Sequence, residues 1–148
     1  MNARLTSALI GGLAAAGLGG CGGGALRPSG DPLSVGTWGG DNAGVIVTDS
    51  TIHVHIGCTF GDIPGRLSVD DTGRFSVAGS YVLKAFPIVL GPKLPAQFSG
   101  RLVGRNLTIS VAVNDTTTGQ PVSLGPVTVR YGQDPKLGPC PICRVPKP

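Results

Sequence analysis

The sequence predicts an all-β protein: a single small antiparallel up-and-down barrel of seven or eight strands, calycin-like in size. Three observations carry this. Apolar side chains recur at every second position through most of the chain, the period of a half-buried strand. Gly and Pro together make up about a quarter of the residues and punctuate these runs at short intervals without a collagen-like period. Helix-forming runs are missing; the eight acidic residues are all Asp, with no Glu. A chain of 148 residues supplies one domain rather than two. Sequential hairpins close most simply as a barrel, which leaves no unpaired edge.

The elements follow in order. Gly36-Thr37-Trp38-Gly39-Gly40 opens the domain and leads into Ala43 to Thr48, a β-branched run, and the turn signal Asp49-Ser50. Thr51 to Thr59 reads as one strand, with Ile52, Val54, Ile56 and Cys58 on one face and His53, His55 and Gly57 on the other. Arg66 to Asp70 places Leu67 and Val69 together, and Asp71-Thr72-Gly73 supplies a hairpin turn with Gly at the left-handed position. Arg74 to Lys84 aligns Phe75, Val77, Gly79, Tyr81 and Leu83. Ala85 to Pro95 is broken by Pro and Gly and reads as a loop, yet it carries Phe86, Ile88, Val89, Leu90 and Leu94. Strands resume from Gln97 to Val103 and, after Gly104-Arg105-Asn106, with Leu107, Ile109, Val111 and Val113 in phase. Val122 to Tyr131 is the last strand. Pro126 interrupts it and throws Leu124 and Val127 out of phase, the mark of a bulge or an edge.

Residues 1–20 read as an export signal: Arg4 near the start, then no charge from Leu5 to Gly20. The run is too short and too glycine-rich for a membrane-spanning helix. It ends in Leu18-Gly19-Gly20-Cys21, which resembles the lipobox of bacterial lipoproteins. That resemblance implies lipidation of Cys21 and a domain held outside the cytoplasm. In a Gram-negative envelope, Gly22 after the Cys permits the outer membrane. Each buried methylene of an acyl chain contributes about 0.8 kcal/mol to anchoring. Residues 21–33 then read as a flexible tether, 34–134 as the barrel domain and 135–148 as a Pro- and Cys-rich tail. The net charge of +4 is far below a nucleic-acid-binding footprint.

Beyond Cys21 the cysteines are Cys58, Cys140 and Cys143, an odd number, so one disulfide has three alternative pairings. Cys140-Pro141-Ile142-Cys143 lacks the helix N-terminus that activates a thioredoxin-type thiol, because Pro139, Pro141 and Pro146 exclude a helix. His53 and His55 point the same way on their strand, with no third ligand in phase nearby, and are expected as solvent-facing side chains; no metal or other cofactor is expected. There is no Glu pair and no Gly-x-Ser-x-Gly elbow, so no catalytic residues are expected. The apolar loop is expected either to plug the barrel mouth or to act as a lid over an apolar ligand, with Trp38, Phe86, Ile88, Leu90 and Leu94 as the ligand and lid residues.

The Gly36–Gly40 opening, Cys58-x-x-Gly61, Gly73-Arg74-Phe75, Val77-x-Gly79-x-Tyr81, Phe98-Ser99-Gly100 and the late Cys140 together resemble a family of small bacterial lipoproteins. The resemblance implies a shared fold and a Cys58–Cys140 disulfide. More loosely, Gly36 and Trp38 resemble the first strand of the calycins, in which a Trp closes one barrel end under a basic side chain from the last strand; Arg130 is the candidate here. The function expected is that of a lipid-anchored envelope lipoprotein, a non-enzymatic binding or structural module. Its partners would be the membrane through Cys21 and a small apolar ligand or an envelope protein. The alternative is an inhibitor of a secreted or envelope peptidase, as in calycin-like inhibitors.

Overall fold

A computed structural model describes residues 30–85, 90–138 and 140. Eight strands run β1 (Gly36–Gly40), β2 (Ala43–Val47), β3 (Thr51–Ile56), β4 (Thr59–Pro64), β5 (Arg74–Val82), β6 (Leu94–Val103), β7 (Asn106–Asp115) and β8 (Gln120–Tyr131). Each pairs antiparallel with the next, and β8 returns to β1, closing the barrel in chain order.

Alternation sets the inner face. Val45 and Val47 of β2, Ile52 and Val54 of β3, Phe98 of β6, and Leu107, Ile109, Val111 and Val113 of β7 are buried in one core cluster with Trp38. Tyr81 and Phe98 meet with ring centroids 6.0 Å apart. Space for these rings comes from inward-facing glycines. A Cβ on Gly61 or Gly79 would lie 2.8 Å from the Phe98 ring, and one on Gly100 would lie 2.8 Å from the Phe75 ring. Three of the motif glycines, Gly61, Gly79 and Gly100, are therefore positions where an aromatic ring takes the room of a side chain.

The chain is divided differently from expectation in three places. The run Thr51–Thr59 is not one strand: β3 ends at Ile56, Gly57 adopts φ +59° and β4 begins at Thr59. Cys58 thus sits in a turn at a barrel end, off the Ile52–Ile56 face. Arg66–Asp70 is not a barrel strand but a crossing segment, joined to the N-terminal segment by a bridge between Pro32 and Ser68. Its Leu67 and Val69 are buried together with Leu33, and the Leu33 N–H donates to the Leu67 carbonyl at 2.8 Å. Asp31 to Leu33, expected as tether, is therefore docked and stoppers one barrel end. Leu94 and Pro95, expected in the loop, already belong to β6.

Two other expectations hold. Gly73 adopts φ +77° in the predicted turn, where the Asp70 carboxylate accepts the N–H groups of Thr72 and Arg74 at 2.8 Å. The register of β7 with β8 shifts between Ile109 and Val111, opposite Gly125 and Pro126, so Pro126 sits in a bulge and both Leu124 and Val127 pack against the core.

After Tyr131 the chain doubles back over the outer face of β1 and β2. The Gly132 N–H donates to the Thr37 carbonyl at 2.8 Å and the Lys136 N–H to the Gly40 carbonyl at 3.0 Å. Gly39 and Gly44, cross-strand partners, lie beneath this strap; a Cβ on Gly44 would fall 2.6 Å from Pro135 Cγ. The strap leads to Cys140, which is bonded to Cys58 with the Cα atoms 5.5 Å apart, the pairing that the family resemblance implies.

Two predictions follow from this packing. Gly79→Ala drives a methyl into the Phe98 ring and should cost about 1–3 kcal/mol, read as a lower urea midpoint at unchanged slope. Replacing Cys58 and Cys140 together by Ala should cost about 4 kcal/mol through the long loop they close. Equal stability of the oxidised and reduced wild-type chain would contradict the second.

Candidate functional site

The sequence-predicted positions are dispersed. Cys21, Phe86, Ile88 and Cys143 lie outside the described residues. Trp38 is buried in the core and its indole N–H donates to the Ser34 carbonyl at 3.1 Å. Leu94 is also a core residue, while Leu90 is 61% exposed. The neck of the apolar loop is closed by a hydrogen bond from the Gly91 N–H to the Lys84 carbonyl, 2.7 Å. Arg130 does not cover Trp38: it pairs with Gly39, points outward and is exposed. The residue opposite Trp38 is Tyr131, whose ring meets the indole edge-on at 5.0 Å and carries the Arg105 guanidinium above it.

The polar cluster that the fold does assemble lies on the outer wall, where β3 pairs with β4. Antiparallel register sets His53 opposite Asp62 and His55 opposite Phe60. His53 and His55 are two apart on one strand, so they share the outer face. The Asp62 carboxylate is held from both sides: Oδ1 lies 2.6 Å from His53 Nδ1, and Oδ2 accepts from Lys93 Nζ at 3.1 Å. His53 Nε2 lies 2.9 Å from His55 Nε2. Phe60 backs both imidazoles, with centroid distances of 5.4 and 5.7 Å. On the β2 side the neighbours are Ile46 opposite His53, and Gly44, beneath Pro135 of the strap, opposite His55.

These contacts assign the tautomers. Asp62 accepts a hydrogen bond from His53 Nδ1–H, so in neutral His53 the Nε2 lone pair is free and the His55 Nε2–H donates to it. Partial burial, and then the nearby His53 charge, hold the His55 pKa below its ordinary value against the opposing pull of Asp62. For Asp62, burial works to raise the carboxyl pKa. The hydrogen bonds and charges of His53 and Lys93 together outweigh it, so the pKa lies below the usual carboxylate value.

Chemically the cluster resembles two thirds of a nucleophile–His–Asp relay without the nucleophile. Among the described residues the imidazoles are hydrogen-bonded to Asp62 and to each other, and no hydroxyl or thiol donates to them. Sequence reasoning missed Asp62 because Thr59–Pro64 was not recognised as a strand.

His55, held neutral, gives a signed prediction. The unfolded chain binds more protons than the folded one below about pH 6.5, so stability is intact above that value and falls as pH descends toward the folded pKa. The Asp62 contribution is lost later, below about pH 4, as that carboxylate protonates. Urea midpoints measured from pH 7.5 to 5 should fall in the wild type and fall less in His55→Gln; identical slopes would refute the assignment. No protein-family model, curated protein or solved structure matches this chain, so its function is argued from the residues and geometry above.

Proposed function

We propose that this protein is a lipid-anchored lipoprotein of a bacterial envelope, and that its barrel is a non-enzymatic module binding through its outer surface. The single observation carrying the anchor is Leu18-Gly19-Gly20-Cys21 at the end of an uncharged stretch. The docked segment begins at Asp31, so Cys21 is joined to the stoppered barrel end by a link of about 35 Å at most when extended. That link suffices to hold the domain beside a bilayer with the Cys58 end facing away.

Two further observations support the non-enzymatic part. Side chains of the core cluster fill the inner face, which argues for recognition on the wall or at a rim rather than in a lumen. The His53–Asp62 pair lacks a nucleophile partner among the described residues.

The test is metabolic labelling with a radioactive fatty acid in a bacterial host. The wild-type chain should take up label and partition into detergent, and Cys21→Ser should lose both properties while its barrel stays folded. A wild-type product that is unlabelled and cleaved at another bond would overturn the anchor.

A further inference from the structure

The outer wall of β3 carries an arrangement that the barrel itself does not require. Two imidazoles from alternate positions of one strand present Nε2 atoms 2.9 Å apart. Two nitrogens bound about 2.0 Å from one ion are about 2.8 Å apart when adjacent at a right angle and about 3.3 Å apart at the tetrahedral angle. The observed separation, held by the His55–His53 hydrogen bond, is close to the right-angled case, so an ion of tetragonal preference replaces the bridging proton with little movement of the rings. The ring centroids are 4.7 Å apart and the ring planes are inclined at 73°. Imidazoles meeting head to head at this nitrogen distance would have centroids farther apart. The rings are therefore inclined to the Nε2–Nε2 line rather than collinear with it, so an ion can replace the His55 proton that now bridges the pair.

The surroundings fit a ligand pair. Asp62 accepts a hydrogen bond from His53 Nδ1–H at 2.6 Å, which leaves the Nε2 lone pair for a ligand, the carboxylate–histidine arrangement found behind metal-bound imidazoles. Lys93 occupies the other carboxylate oxygen at 3.1 Å, so Asp62 orients the imidazole and is not itself a ligand. Phe60 limits ring rotation from below. The His53 side chain remains 34% exposed, leaving a route for an ion and its waters.

We propose that His53 and His55 form a copper(II)-binding site, their Nε2 atoms taking two adjacent equatorial positions, water completing the coordination and Asp62 positioning His53. Among the described residues no group of three or more His, Cys, Asp or Glu side chains is placed to hold one ion, so the protein supplies two ligands. Two imidazoles with open, water-filled positions select copper(II) among divalent first-row ions by intrinsic affinity, and nickel(II) shares its tetragonal preference. On binding, neutral His55 exchanges its Nε2 proton for one on Nδ1 through solvent, so that side chain releases no net proton.

The chain contains two histidines, so its ring signals report this site alone. Copper(II) is titrated into the full chain, free thiols blocked by alkylation, and followed by histidine-ring NMR and electron paramagnetic resonance. Both histidine signals should broaden together below one equivalent, with a resonance showing two nitrogen ligands. His53→Gln and His55→Gln should each weaken binding at least tenfold, and Asp62→Asn about tenfold to a hundredfold with both nitrogens retained. Circular dichroism checks that each variant is folded. Ring signals untouched at one equivalent in the wild type, or His55→Gln binding as tightly as the wild type, would overturn the site. Neither result bears on the lipid anchor.

Discussion

Closure is the constraint on which the rest of this molecule depends. β7 and β8 pair along most of their length, but β1 and β8 meet through only Trp38 with Tyr131 and Gly39 with Arg130. A seam that short leaves most of the β8 edge without a ladder partner, and an open edge is the weak point of any sheet. Reinforcement comes from outside the ladder. Tyr131 packs edge-on against Trp38, the Gly132 N–H bonds back to Thr37, and the strap from Gln133 to Lys136 lies over Gly39 and Gly44. The small residues of the Gly36–Gly40 opening are what let another piece of backbone lie so close. The disulfide then fastens the far end of the strap to the β3–β4 turn.

Interior packing obeys the same constraint from the other side. A small barrel has room for few large side chains, and Tyr81, Phe98, Phe75 and Trp38 take that room at the expense of Gly61, Gly79 and Gly100. The Tyr81, Phe98 and Phe75 rings each cover the bare backbone of a glycine on a neighbouring strand, which also lets the strands bend sharply. The buried Tyr81 hydroxyl is satisfied by Thr59 Oγ1 at 2.9 Å. Burial, in spite of that bond, pushes its pKa above the ordinary tyrosine value.

This trade explains what could be read from the residues alone and what could not. Strands whose inward positions hold aliphatic side chains, such as β3 and β7, announce themselves by alternation. β4 does not: of its inward positions Thr59, Gly61 and Ile63, only Ile63 is apolar and large, because rings from β5 and β6 fill the space beside it. Gly61-Asp62-Ile63-Pro64 therefore has the composition of a turn. Missing β4 also hid the His53–Asp62 pair, since a contact nine residues apart exists only once the register is known. Leu67 and Val69 alternate like a strand because both reach into the stopper at the barrel end, a packing role that composition does not distinguish from a ladder. Arg130 and Tyr131 differ by one position, and their parity relative to Trp38 was set by the bulge at Pro126, whose place in the ladder no local pattern reveals.

The bond from Cys58 to Cys140 has a mechanical consequence. A chain tugged from residue 30 against a hold beyond residue 140 transmits its tension through that bond, and everything between the two cysteines is shielded from it. Only the segment from residue 30 to Cys58 can be drawn out. That is about 100 Å of contour, against nearly 400 Å for an unbridged chain of the same length. The histidine wall straddles this boundary, with β3 on the segment that bears load and β4 within the shielded loop. Stretching would separate His53 from Asp62 while Asp62 and Lys93 stayed together, so that wall lies on the line between the loaded and the shielded parts of the domain.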